Sequence, residues 1–163
     1  MPKETIIILD QESHTQWALK TLLESEEYNV IPVDTIEKAL KNFSEYEVSG
    51  LITEYWINHS STLETIRGFK KVFPEAYVMI LTNGEMKEDE YEEIINAGTD
   101  DFFLKPLPIK KILLHLRKGL KQRQNLLQKK RLADELNRNS PRKRYPGWSG
   151  GSRENRGRNQ AVL

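Results

Sequence analysis

The sequence predicts an α/β fold in which a parallel β-sheet is covered by helices on both faces. Five short apolar segments, mostly rich in β-branched residues, alternate with segments whose apolar side chains recur at helical spacing. Strands and helices that alternate in this way form parallel sheets through crossover connections. The chain has 163 residues, which is enough for one domain with its own core and an appendage.

The strands are predicted at residues 5–9, 29–33, 50–53, 77–81 and 101–104. Pro32 lies inside the second strand and favours an edge position, because proline cannot donate a hydrogen bond to the ladder. Between the strands, Asp34 and Thr35 supply a cap for the second helix, and Gly98 supplies the C-terminal stop of the fourth. The first helix is predicted from its apolar spacing, carried by Trp17, Leu19, Leu22 and Leu23.

The composition excludes several classes of chemistry. There is no cysteine, so the chain has no disulfide framework, no zinc-thiolate site and no cysteine nucleophile. The apolar run that follows the first four residues is too short for a signal peptide or a membrane span. We therefore expect a soluble, cytoplasmic protein that does not bind a membrane.

Charge divides the chain into an acidic body and a basic tail. Residues 1–116 contain 11 Lys and Arg against 21 Asp and Glu, whereas residues 117–163 contain 14 against 3. Such asymmetry indicates two functional parts. We predict a domain over residues 1–120, a helical extension over 121–137, and a basic, disordered tail over 138–163.

Polar side chains follow the predicted strands where each strand ends. Function in parallel α/β sheets collects at the carboxyl ends of the strands. The residues at those ends are Asp10, Gln11, Glu12, Glu54, Thr82 and Lys105.

Four segments at these strand ends resemble the receiver domain of bacterial two-component response regulators. The segments are Leu9-Asp10-Gln11-Glu12, Ile52-Thr53-Glu54-Tyr55-Trp56, Leu81-Thr82-Asn83 and Gly98-Thr99-Asp100-Asp101-Phe102-Phe103-Leu104-Lys105-Pro106. The likeness runs without a gap from about residue 6 to residue 120. It implies a flavodoxin-like (βα)5 sheet with strand order 2-1-3-4-5, followed by a C-terminal helical extension.

The resemblance also implies site residues, two of which depart from the family's pattern. In that family an acidic pair after the first strand holds Mg²⁺, and an aspartate ending the third strand accepts a phosphoryl group. Gln11 stands in place of the second acidic ligand, and Glu54 in place of the acceptor. Asp10, Thr82 and Lys105 match the pattern, and Phe102 occupies the position of the family's switch aromatic.

Both departures are expected to weaken phosphoryl transfer. Glutamate extends the carboxylate by about 1.5 Å, and a misplacement of about 1 Å can cost about a hundredfold in a positioned reaction. Gln11 offers a neutral carbonyl, so a bound dication loses one compensating charge. We therefore expect a degenerate phosphoacceptor site in a protein that is not an enzyme and uses no cofactor. Mg²⁺ is expected to bind at Asp10 weakly or not at all.

The role of Glu54 has three open readings at this point. It forms a fixed charge that holds an active-like arrangement with Lys105 and Thr82, or it is only a buried ion pair, or phosphorylation or metal binding persists at the site through Glu54 or another group. Phe102 is either the switch aromatic or plain core. Trp56 is either an exposed binding anchor or a cover for the emptied pocket.

The expected partner is a protein that binds the face formed by helix four, strand five and helix five. Leu113, Leu120 and Leu127 are spaced by seven residues, which indicates a short coiled-coil stem and a homodimer. The basic and aromatic residues of the tail also suit a nucleic acid, an acidic protein surface or a solvated linker.

Overall fold

The computed structural model describes residues 3–84 and 86–139. Five parallel strands form one sheet in the order β2-β1-β3-β6-β7, and a separate two-stranded hairpin pairs β4 with β5. Because the hairpin is not part of the sheet, β6 and β7 are the fourth and fifth strands of the sheet. The predicted strand order 2-1-3-4-5 is confirmed. The strands are β1 (Thr5–Leu9), β2 (Asn29–Val33), β3 (Gly50–Glu54), β4 (Trp56–Ile57), β5 (Ser60–Ser61), β6 (Tyr77–Thr82) and β7 (Asp101–Leu104).

Five helices cover the sheet, namely α1 (Ser13–Ser25), α2 (Ile36–Glu45), α3 (Leu63–Val72), α4 (Glu88–Ala97) and α5 (Ile109–Asn139). The Thr35 hydroxyl accepts a hydrogen bond from the Lys38 amide and caps α2. Gly98 ends α4 with a φ of 106°, a left-handed conformation that glycine adopts without steric cost. The predicted C-terminal helix is present as α5.

The core has two layers, one on each face of the sheet. The central strands β3 and β6 are buried along their whole length, as expected for strands covered on both sides. One layer packs side chains of α2, α3 and α4 against the sheet, with Phe43, Phe69 and Ile94 among them. The other layer packs α1 and α5, with Leu19 and Leu116 among its members.

The edge position of β2 follows the expectation drawn from Pro32, which lies opposite Ile8 of β1. The apolar spacing of α1 is only partly realised as burial. Leu19 and Leu23 are buried, whereas Trp17 points to solvent with 70% of its surface exposed. Helical spacing places residue 17 near residue 20, a lysine, rather than on the stripe of residues 19 and 23.

Helix α5 contributes to two compact units, one ending at Asn125 and the other beginning at Leu126. In the first unit, Arg123 is buried and its guanidinium lies 3.3 Å from the Glu4 carboxylate, while Gln124 donates to the same carboxylate at 2.8 Å. In the second, Leu126, Leu132 and Leu136 are exposed. The boundaries proposed at residues 120 and 137 stay predictions, and residues 140–163 of the predicted tail lie outside the described residues. Among the helices described, none is long and apolar enough to cross a membrane.

Gly119 allows α5 to approach the start of β6, and its replacement should destabilise the fold. A Cβ at Gly119 would lie 2.0 Å from Cδ1 of the buried Tyr77. We expect Gly119→Ala to lower the free energy of unfolding by about 1–3 kcal/mol, as overpacking does, when measured by urea denaturation.

Gly68→Ala is the matched control, since Gly68 also lies in a helix but a Cβ there would meet no atom within 4 Å. Alanine should raise the free energy of unfolding by about 0.5–1 kcal/mol at that position. Equal changes in the free energy of unfolding for the two substitutions would contradict the prediction that the close approach of Gly119 to Tyr77 excludes a larger side chain.

Candidate functional site

The residues predicted from strand ends meet at one edge of the sheet. Asp10, Glu54, Thr82 and Lys105 lie at the ends of β1, β3, β6 and β7, which are four consecutive strands of the sheet. They surround a cavity of about 400 Å³ that we call the site cavity. Its lining consists of Asp10, Gln11, Glu12, Glu54, Trp56, Thr82, Asn83, Gly84, Met86, Glu90 and Lys105.

The ammonium group of Lys105 lies among three carboxylates. Its Nζ is 2.8 Å from Glu54 Oε2, 3.0 Å from Asp10 Oδ2 and 3.3 Å from Glu12 Oε1. The contact with Glu54 has the distance of an ion pair but not the alignment of a hydrogen bond, whereas the contact with Asp10 has both. The lysine side chain is only 9% exposed, so these carboxylates replace most of its water.

Burial and charge act in opposite directions on the pKa of Lys105. Burial by itself disfavours the charged ammonium, but the close contacts with Glu54 and Asp10 and the charges of these two carboxylates outweigh it, and the pKa of Lys105 is raised. A raised lysine pKa means that the charged form contributes stability at every pH below the unfolded value. Lys105 is therefore charged throughout the neutral range.

The loop after β1 is fixed by side chains that face the same cluster. The Glu12 amide donates to Asp10 Oδ1 at 2.8 Å, so both oxygens of Asp10 are engaged. Thr15 donates to the Glu12 carboxylate and, ahead of Lys105, lowers the pKa of that group. Glu12 is half exposed and was absent from the predicted phosphoacceptor set, although its place at a strand end is a signal that could have included it.

Gln11 forms hydrogen bonds with the hairpin. Its Nε2 donates to Asn58 Oδ1 at 2.6 Å, and the Asn58 amide donates back to Gln11 Oε1 at 3.1 Å. An amide can donate and accept at once, which a carboxylate cannot do when ionised. The hairpin itself was not predicted; its turn places Asn58 and His59 at φ values of 50° and 66°, and asparagine is one of the few residues that tolerates this region.

The main chain of Glu54 is anchored from two sides. The Thr62 hydroxyl donates to the Glu54 carbonyl at 2.8 Å, and the next amide, that of Tyr55, donates to Leu81 on the adjacent strand. Thr82 is buried beside it. Among the hydrogen bonds of residues 3–84 and 86–139, none joins Thr82 to Glu54, so of the two contacts expected for this carboxylate only the one with Lys105 is formed.

The two aromatic residues named from the sequence lie in different surroundings. Phe102 is partly buried, does not line the site cavity and packs edge-on against Tyr91 of α4, with ring centroids 5.3 Å apart. Trp56 lies at the rim of the cavity, 49% exposed, with its ring edge-on to Tyr55. Part of the indole surface is thus available at the mouth of the cavity.

The sheet order and the strand-end residues define a receiver domain. The response regulator receiver domain family matches residues 6–117, and the chain belongs to that family. It is a family of two-component signalling, and its members interact with partner proteins.

Individual relatives share this architecture at low identity. A two-component response regulator of rice, ORR5 of Oryza sativa subsp. japonica, is 28% identical over 105 residues, which cover 63% of this chain and 78% of the relative. A CheY-like receiver domain from Methanospirillum hungatei JF-1 superposes with a TM-score of 0.71 at 19% identity, covering 76% of this chain and 98% of that one. A response regulator from Burkholderia pseudomallei, solved with a phosphorylated aspartic acid, has a TM-score of 0.65 at 20% identity and covers 85% and 76%.

The reciprocal hydrogen bonds between Gln11 and Asn58 predict a measurable coupling. In a double-mutant cycle of Gln11→Ala and Asn58→Gly, we expect a coupling of about 0.5–1.5 kcal/mol in the free energy of unfolding, the range of neutral hydrogen bonds. Glycine suits the positive φ at residue 58, so the cycle does not add backbone strain.

Hydrogen exchange supplies the local readout. The Asn58 amide should lose protection in Gln11→Ala, while amides in the buried strand β3 keep theirs. Additive effects in the cycle, with unchanged exchange in the hairpin, would contradict this role for Gln11.

Proposed function

We propose that this chain is a pseudo-receiver, a signalling domain that keeps the receiver fold but acts without a phosphorylation cycle. The observation that carries the proposal is the ion pair between Lys105 and Glu54. A permanent carboxylate stands where the family has its phosphoacceptor aspartate, and it already binds the lysine that the resemblance assigns to the site.

The residues that would hold Mg²⁺ support the same proposal, because each is engaged by another group of the protein. Asp10 binds Lys105 and the Glu12 amide, and Gln11 is paired with Asn58. A dication would have to displace a buried ammonium group, and Gln11 offers it no formal charge. Within residues 3–84 and 86–139, no three or more histidine or carboxylate side chains are arranged to hold a metal ion. We infer that this set does not fit Mg²⁺.

The same geometry gives Glu54 a defined role in the proposal. Its carboxylate binds Lys105 permanently, as a fixed negative charge in place of the transient charge of a phosphoryl group. Thr82 is not drawn in by a hydrogen bond, so the proposed arrangement is built on Lys105 alone. Phe102 then serves as partly buried packing for α4 rather than as a reporter of phosphorylation.

We further propose that the chain signals by binding a protein through the surface of α4, β7 and α5. Several large apolar side chains are exposed on these elements, which is typical of interaction surfaces. They are Tyr91, Ile95, Leu104 and Leu114. Lys105 follows β7 directly, so the ion pair with Glu54 is joined to this surface through one peptide bond.

Two other partners remain alternatives. Exposed leucines 126, 132 and 136 of α5 favour a second copy of the chain, in line with the predicted coiled-coil stem. A nucleic acid would use the basic tail, most of which lies outside the described residues. A third alternative is a functional phosphoacceptor with unusual site residues.

Exposure to a small-molecule phosphodonor with Mg²⁺ separates the pseudo-receiver from a working receiver. We expect no covalent phosphoryl adduct on the wild-type chain by intact-mass spectrometry. The Glu54 carboxylate lies one methylene farther along its side chain than an aspartate carboxylate would, and it is ion-paired with Lys105. Glu54→Asp alone should stay weak, since Gln11 still supplies no second carboxylate.

The double variant Gln11→Asp with Glu54→Asp is the positive control, and it should form an adduct. An adduct on the wild-type chain at Glu54 or elsewhere in the site cavity would rule out the pseudo-receiver.

Glu54→Gln tests the permanent charge against partner binding, because it removes the charge and keeps the size. The variant takes one carboxylate away from the buried ammonium group of Lys105, so the affinity for a captured protein partner should fall about tenfold or more. Calorimetry with the purified partner measures the change.

The matched control is Glu37→Gln, which removes one exposed charge on α2 away from the site, and it should leave the affinity unchanged. Ile95→Asp should abolish binding if the surface of α4, β7 and α5 is the docking site. Wild-type affinity in Glu54→Gln would reduce Glu54 to a structural ion pair.

A further inference from the structure

We propose that Asn83-Gly84 is a site of spontaneous deamidation that introduces a new carboxylate into the lining of the site cavity. The inference goes beyond the proposed function and does not depend on it. It rests on the position of this dipeptide in the fold and on the freedom of its backbone.

The dipeptide follows β6 directly and belongs to no helix or strand. Asn83 and Gly84 are both exposed and lie in a bend. Among the hydrogen bonds described for residues 3–84 and 86–139, none holds the Gly84 amide or the Asn83 side chain. A Cβ built on Gly84 would meet no atom within 4 Å, so there is open space beside the backbone at this residue.

The chemistry requires only water. The backbone nitrogen of Gly84 loses its proton and attacks Cγ of Asn83, forming a carbon–nitrogen bond as the side-chain amide leaves as ammonia. Water then opens the resulting five-membered imide at one of its two carbonyls and leaves either aspartate or isoaspartate at position 83. Glycine favours the attack because it has no side chain beside the nitrogen and its dihedral angles are the least restricted.

Other asparagines are held in conformations that oppose this reaction. Asn96 lies in α4 and Asn29 begins β2, so in both cases the backbone nitrogen of the next residue belongs to a regular helix or strand. The side chain of Asn58 accepts a hydrogen bond from Gln11. These residues therefore serve as internal references within the same chain.

The product would change the site in two ways. Asn83 lines both the site cavity and a neighbouring cavity of about 360 Å³ that also contains Lys105, so a carboxylate there adds to an already acidic lining. Isoaspartate also inserts one extra carbon into the main chain. That insertion follows Thr82, whose carbonyl is bound by the Lys105 amide at 2.7 Å, and precedes α4.

The test is incubation of the full chain at mildly alkaline pH, followed by peptide mapping that separates aspartate from isoaspartate. We expect Asn83 to convert several-fold faster than Asn96 or Asn29. Gly84→Ala should slow the conversion several-fold while the fold is kept, because the added methyl group has space but hinders the attack. Asn83→Gln should abolish it, and Asn83→Asp should elute with the deamidated form on anion exchange.

Two results would overturn the proposal. One is conversion of Asn83 no faster than that of Asn96 and Asn29, and the other is an unchanged rate in Gly84→Ala. The structural consequence has its own readout, since amides in the first turn of α4 should exchange faster in the isolated isoaspartate form than in the unmodified chain. None of these outcomes depends on whether the chain is phosphorylated.

Discussion

The ion-paired ammonium of Lys105 is the interaction on which the rest of the site depends. It brings together residues from the ends of β1, β3 and β7, and three carboxylates contact one buried nitrogen. Removing one partner of a buried ion pair commonly costs about 3–5 kcal/mol, because the remaining charge is left without compensation. The identities of Asp10, Glu54 and Lys105 are therefore coupled, and one cannot change without affecting the environment of the others.

Glu54 and Gln11, the two residues that depart from the receiver pattern, each contact another side chain of the protein. The longer side chain of Glu54 reaches Lys105 at 2.8 Å, and the amide of Gln11 bonds to Asn58 in both directions. The hairpin of β4 and β5 is the element that makes the second arrangement possible. In the sequence Gln11 stands in place of an acidic metal ligand, whereas in the fold it binds the hairpin through two hydrogen bonds.

The lining of the site cavity carries a net negative charge. Asp10, Glu12, Glu54 and Glu90 line it, and among the described residues of the lining Lys105 is the one basic side chain. A cavity lined by net negative charge lowers the local concentration of anions such as phosphodonors. The cavity lies beside the surface of α4, β7 and α5. The loop after β6 and the residue after β7 connect the two, so a change of charge in the cavity can affect that surface.

The sequence by itself determined the parallel sheet, the edge position of β2 and the set of residues at the carboxyl edge of the sheet, because apolar periodicity and strand-end residues are local, while the strand order came from the resemblance to receiver domains. The tertiary structure alone decided which of those side chains meet. Gln11 and Asn58 are 47 residues apart, Arg123 binds Glu4 across 119, and no local pattern encodes such pairs. Trp17 shows the same limit: its spacing predicts a helix, but which face is buried depends on what packs against it.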